Sequence, residues 1–198
     1  MGKKRKRKVP TPESMVGAEV LIARAAGKVI TVKRRLAIAR VLDMAIWLWF
    51  TEKDPLCVHL LVMAPYNCLE ALGKKTGKGP KLFARMDRDQ FTLAYNFLRH
   101  ASSNLNDALD FPPLANPILL FDAITSFERI FGTMTIFMHT FFAYITSGLV
   151  PDLEFSDGVR KSAAELLPKE LAAEKVAEWS RIEYFCKASE VFAAQVAK

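Results

Sequence analysis

The stretch Asp54–Lys75, DPLCVHLLVMAPYNCLEALGKK, decides the fold class of this chain. Asp54 followed by Pro55 marks a helix start. A carboxylate there accepts from the free N–H groups of the first turn, and proline is tolerated where its missing N–H would have no helical partner. Apolar residues then recur at spacings of three and four up to about Lys75, and the Gly77 to Pro80 segment terminates the helix. Pro65 lies inside it and predicts a kink, since it removes one helical hydrogen bond.

The same punctuation repeats on both sides. Met15 to about Ile30 reads as a helix with Val16, Val20, Leu21 and Ala25 on one face. Thr31 is placed to cap the next one, in which Leu36, Ala39, Ile46, Trp47 and Phe50 follow helical spacing. Leu42 and Trp49 widen that stripe, and Asp43 falls inside it. Asp87 is placed to cap a helix through His100, residues 102–113 read as a loop, and Asn116-Pro117 repeats the cap-plus-proline signal for a helix through about Phe131. Residues 168–198 carry Leu171, Val176, Trp179, Ile182, Phe185, Cys186 and Phe192 as one amphipathic face. No strand run and no internal repeat is present. The expectation is an all-α helical bundle of six to eight helices with a disordered basic arm at residues 1–14, a bundle at 15–155, and a helical extension at 156–198 packing on the bundle or on a second copy.

Residues 130–150 contain no Asp, Glu, Lys or Arg and are long enough to span a bilayer. Their Thr, Ser, Tyr and His content, the bracketing Gly132 and Gly148, and the absence of a strongly basic flank favour a buried core helix.

The formal charge of +7 is misleading about the body of the protein. Lys3, Lys4, Arg5, Lys6, Arg7 and Lys8 supply six of those charges, so the remainder is nearly neutral. Such an arm contacts phosphates without sequence preference. Three cysteines without a CxxC pair fit a reducing compartment, and the basic start lacks the apolar run of a signal peptide, so the expected location is cytoplasmic.

Chemistry-bearing motifs are sparse. His59, His100 and His139 are about forty residues apart, and no HxxxH or HExxH pair exists, so neither a metal nor a cofactor is expected. Residues 73–80, GKKTGKGP, share only composition with a phosphate loop and read as a flexible basic turn. Asn96, Arg99 and His100 are more suggestive. Asn96 and His100 share a helix face, with Arg99 beside them, and could clamp a phosphate or polarise a ribose hydroxyl. The competing reading is that Arg99 and His100 satisfy carbonyls at a helix C-terminus. His59 reads as a satisfied, half-buried residue, with Tyr66 about two turns later, and His139 as a hydrogen-bonded core residue. Asp43 and Asp122 lie on apolar stripes and need partners, for which Arg40, Arg99 or a histidine are candidates.

The succession Arg40-Val-Leu-Asp43-Met-Ala-Ile46, Asp54-Pro55, His59-Leu60-Leu61, Ala64-Pro65-Tyr66 and Asn96-Phe97-Leu98-Arg99-His100-Ala101 resembles a family of uncharacterised bacterial all-helical proteins. Asp110-Phe111-Pro112-Pro113 and Asp122-Ala123-Ile124 fit the same family, which is similar to the HEPN-like helical bundles. The resemblance covers roughly residues 32–155. It implies a helical bundle that often dimerises, sometimes binds nucleotides or RNA, and occurs in defence and toxin-antitoxin systems. HEPN RNases carry an Arg separated from a His by four to six residues, and this sequence lacks that motif. The expectation is therefore a module that binds nucleic acid or a nucleotide, as a homodimer, with His59, Tyr66, Asn96, Arg99 and His100 as ligand-binding candidates and residues 3–8 as a nucleic-acid-binding arm. A metal-independent RNase using His100 or His59, and a structural or membrane-associated protein, are the alternatives.

Overall fold

The computed structural model describes residues 31–84, 87–99, 108–150, parts of 153–171, and 173–196. The arm at 1–14, the helix expected at 15–30, His100 and most of the loop after it lie outside these residues.

The chain is all helical, with no strand among the described residues. Its principal helices are α1 (Arg34–Phe50), α2 (Pro55–Thr76), α3 (Arg88–Arg99), α4 (Ala115–Phe131), α5 (Ile136–Thr146) and α6 (Arg181–Val196). The centre is α2, which packs most extensively on α4 and α1 and also carries α3; α5 sits against α1, α4 and α6.

Local chemistry accounts for most helix ends. Asp54 Oδ1 accepts from the N–H groups of Leu56 and Cys57, at 2.8 and 3.0 Å, and Pro55 takes the first helical position. Pro65 lies in the interior of α2, and Gly77 ends that helix in a left-handed conformation. Asp87 accepts from the Asp89 N–H at the start of α3. Thr135 caps α5 by accepting from Met138 N–H. Ser180 and Glu183 form a reciprocal box at the start of α6: the Ser180 N–H donates to the Glu183 carboxylate and the Glu183 N–H to the Ser180 hydroxyl. That hydrogen bonding holds the Glu183 pKa below the usual range.

Four expectations are corrected. Leu36 and Trp47, placed on the buried stripe of α1, are 46% and 40% exposed, whereas Ile38, Leu42, Ala45 and Trp49 are buried. α1 is apolar nearly all round, so spacing alone could not choose the face, and docking on α2 and α5 does. Asn116 does not cap α4: the helix already starts at Ala115 and the Asn116 amide turns into the core. Residues 130–150 are not one helix. Gly132, at φ 71°, closes α4, and α5 has only 11 residues, about 16 Å of rise against a hydrocarbon core of about 30 Å. Finally, the single face expected over 168–198 is interrupted by a short 3₁₀ turn (Lys169–Leu171), a single-turn helix (Ala173–Val176) and a bend before α6.

Among the described residues, α2 alone is long and apolar enough to cross a bilayer. A core helix passes the same test, and α2 buries Val58, Val62, Met63, Tyr66 and Leu69 against its neighbours. The core is strongly aromatic where α1, α5 and α6 meet. Phe50 lies 5.2 Å from Tyr144 and 4.9 Å from Phe185 between ring centroids, and Trp49 lies 5.1 Å from Phe141.

Candidate functional site

Of the residues singled out from the sequence, His59, Tyr66 and Asn96 lie among the described residues. His59 is fully buried and joins three segments: Nδ1 lies 3.0 Å from Asn116 Oδ1 and Nε2 lies 2.7 Å from the Phe91 carbonyl oxygen. The Asn116 amide is oriented by donating its Nδ2 proton to the Pro55 carbonyl. Burial lowers the imidazole pKa, and the two facing oxygens, which favour the protonated ring, offset only part of that effect. His59 has no atom at the surface, and both ring nitrogens are taken up by ties between α2, α3 and α4. Asn96 is exposed on α3. The Arg99 side chain and His100 lie outside the described residues, so the trio has no described geometry. His139, expected in the core, lies exposed on α5 with its ring against Phe192, and Cys57, Cys68 and Cys186 are free and exposed.

Tyr66 leads to a built feature. Its hydroxyl donates to Asp122 Oδ2 at 2.8 Å, and burial together with that carboxylate pushes the phenol pKa up. Asp122 also accepts the backbone N–H groups of Lys81, at 3.0 Å, and Leu82, at 2.8 Å. Among the described residues the partners of Asp122 are thus a phenol and two amides, with the Arg129 guanidinium 3.9 Å from its carboxylate, rather than the Arg40 or histidine expected. The carboxylate of α4 thereby holds the chain segment that leaves α2. Two helical turns further along α4, Arg129 donates to the Gly79 carbonyl at 3.2 Å and to the Ser126 hydroxyl at 2.8 Å. Asp43 is satisfied in the same manner, accepting from the Thr135 hydroxyl, and its burial raises its pKa.

The GKKTGKGP segment is therefore a clamped turn rather than the flexible one expected. Gly77 donates its N–H to the Gly73 carbonyl at 2.8 Å from a left-handed conformation. The backbones of Gly73 and Gly79 touch so closely that a Cβ on Gly73 would lie 2.0 Å from the Gly79 Cα. The pinned backbone leaves Lys74, Lys75, Lys78 and Lys81 exposed, and none has a carboxylate within ion-pair distance among the described residues. The turn borders an open cavity of about 390 Å³, lined among others by Tyr66, Lys74, Lys81 and Phe83. Arg88 closes one side and is already engaged. It makes a two-pronged contact to Glu70 at 2.8 and 3.2 Å, which raises its pKa, and its guanidinium lies 5.2 Å from the Phe83 ring centroid.

Composition made this turn visible in the sequence, but nothing local shows that Asp122 and Arg129, forty to fifty residues on, would pin it. Among the described residues no cluster of His, Cys, Asp or Glu is arranged to hold a metal ion. Comparison with protein-family models, with curated proteins and with solved structures returned no match.

Proposed function

We propose that this chain is a helical module that binds nucleic acid through the lysine turn between α2 and α3, in keeping with its resemblance to HEPN-like bundles. The observation that supports the reading is the turn itself. Four lysines within eight residues stand exposed, with no carboxylate at ion-pair distance among the described residues, on a backbone fixed by Asp122 and Arg129. An ammonium cluster on a pinned backbone meets phosphates at little ordering cost, and the gain comes from counterion release. Such contacts position a strand without reading its bases. Tyr66 and Asp122 then act as anchors of the turn, not as ligands. Binding is the activity proposed.

The test is binding of labelled single-stranded RNA and DNA, followed by fluorescence anisotropy across a salt series. Replacing Lys74, Lys78 and Lys81 together by Gln should weaken binding and flatten the plot of log affinity against log salt by about two units, because each lysine–phosphate pair on a single strand adds about 0.7 to that slope. A chain lacking residues 3–8 separates the contribution of the arm. If the triple variant binds as the parent does with the same salt slope, the turn is not the interface.

A further inference from the structure

A second concavity lies on another part of the bundle, where the end of α1, the start of α2 and the start of α4 meet α6. It is an open cleft of about 260 Å³. Pro55, Pro113 and Leu114 give it exposed apolar walls beside the buried Trp49, and Lys53 and Arg181 are its cations. The Arg181 guanidinium stacks on the Trp49 ring, 4.3 Å from its centroid, and makes no hydrogen bond among the described residues. Among the described residues the carboxylate within ion-pair distance of it is Glu52, at 3.8 Å, too long for a hydrogen bond.

Glu52 is itself unusual. Residues 51–53 close α1 with the Glu52 N–H on the Trp49 carbonyl and the Lys53 N–H on the Leu48 carbonyl, which puts Glu52 at φ 53°. That is the left-handed position where helices ordinarily place glycine or asparagine. A glutamate there is strained, and its side chain, 71% exposed, lies 3.8 Å from the Arg181 guanidinium. The cleft therefore combines three properties: apolar walls, a guanidinium oriented by stacking on an aromatic ring, and an internal carboxylate that only partly satisfies that guanidinium.

We propose that this cleft binds a small organic acid, an apolar group bearing one carboxylate. The carboxylate replaces Glu52 at Arg181, with Lys53 beside it, and the apolar group lies on Pro55, Pro113 and Leu114. Arginine suits this role because its planar fork pairs with a carboxylate in two hydrogen bonds while its face stays on the indole. The volume suits a ligand smaller than a drug-sized molecule, on the order of a dozen non-hydrogen atoms or fewer.

The probes are phenylacetate and hexanoate, with phenylacetamide and hexanamide as uncharged counterparts, titrated into the full chain by calorimetry and by NMR of the indole and methyl signals. The acids should bind at least about tenfold more tightly than the amides, a charge-assisted pair being at stake. Arg181→Gln should abolish that preference. Glu52→Gln, which keeps the backbone and removes the competing charge, should raise the affinity for the acids severalfold, and it tests the proposal even if the Arg181 variant folds poorly. Equal binding of acid and amide, an unchanged or lower affinity in Glu52→Gln, no binding of either acid at millimolar concentration, or NMR shifts confined to residues 74–81 would each overturn it.

Discussion

His59 illustrates how a polar residue in a core acquires a measurable pH signature. Burial depresses its folded pKa below the ordinary imidazole value of about 6.5, so the unfolded chain takes up the proton first as pH falls. The neutral ring's contribution to stability is present in full above about pH 6.5 and is lost progressively from there down through the folded pKa. Denaturant midpoints measured against pH should accordingly fall below about pH 6.5. In His59→Gln the share of that acid slope due to His59 should be absent, leaving the share of His139, whose pKa partial burial also lowers, so the gap between parent and variant narrows with acidification. Asp43 works in the opposite sense, since its raised pKa makes the folded state the better proton acceptor. At this scale the sequence flagged the right residues for the wrong partners. Asp122 on an apolar stripe signalled a need for hydrogen bonds, but Tyr66 lies 56 positions away and Lys81 lies 41, and only docked helices bring them together.

Helices carry most of their own boundaries, which is why the element level was the most legible. An Asp-Pro start, a Gly in the left-handed region and a Ser180/Glu183 box act within a turn of chain. The lysine turn is where that locality ends. Its glycines advertise a turn, but the contact of Gly73 with Gly79 is a tertiary requirement. Gly73→Ala should cost about 1–3 kcal/mol, because the new methyl meets backbone that cannot withdraw from the grip of Asp122 and Arg129. The destabilisation would be read from chemical denaturation. The same variant should weaken nucleic-acid binding without removing any lysine, because the turn that presents those lysines is displaced.

The whole molecule depends on the last helix more than its position at the end of the chain suggests. α6 buries Tyr184, Phe185, Ala188 and Phe192 in the core shared with α1 and α5. Three aromatic side chains at about 1.5–3 kcal/mol each approach the total net stability of an ordinary domain, about 5–15 kcal/mol. A chain ending before Arg181 should therefore lose its cooperative thermal transition and bind a hydrophobic dye, and a truncated chain that melts like the parent would show that α6 is dispensable. The amino-acid sequence by itself determined that the protein is all helical, where most described helices begin and end, and that the charge of the body is balanced, because propensity, capping and composition operate within a few residues. Tertiary structure alone decided which face of α1 is inside, that Asn116 serves His59 instead of a helix end, and that a glycine-lysine turn is clamped, because these choices depend on groups that become neighbours only when the helices dock.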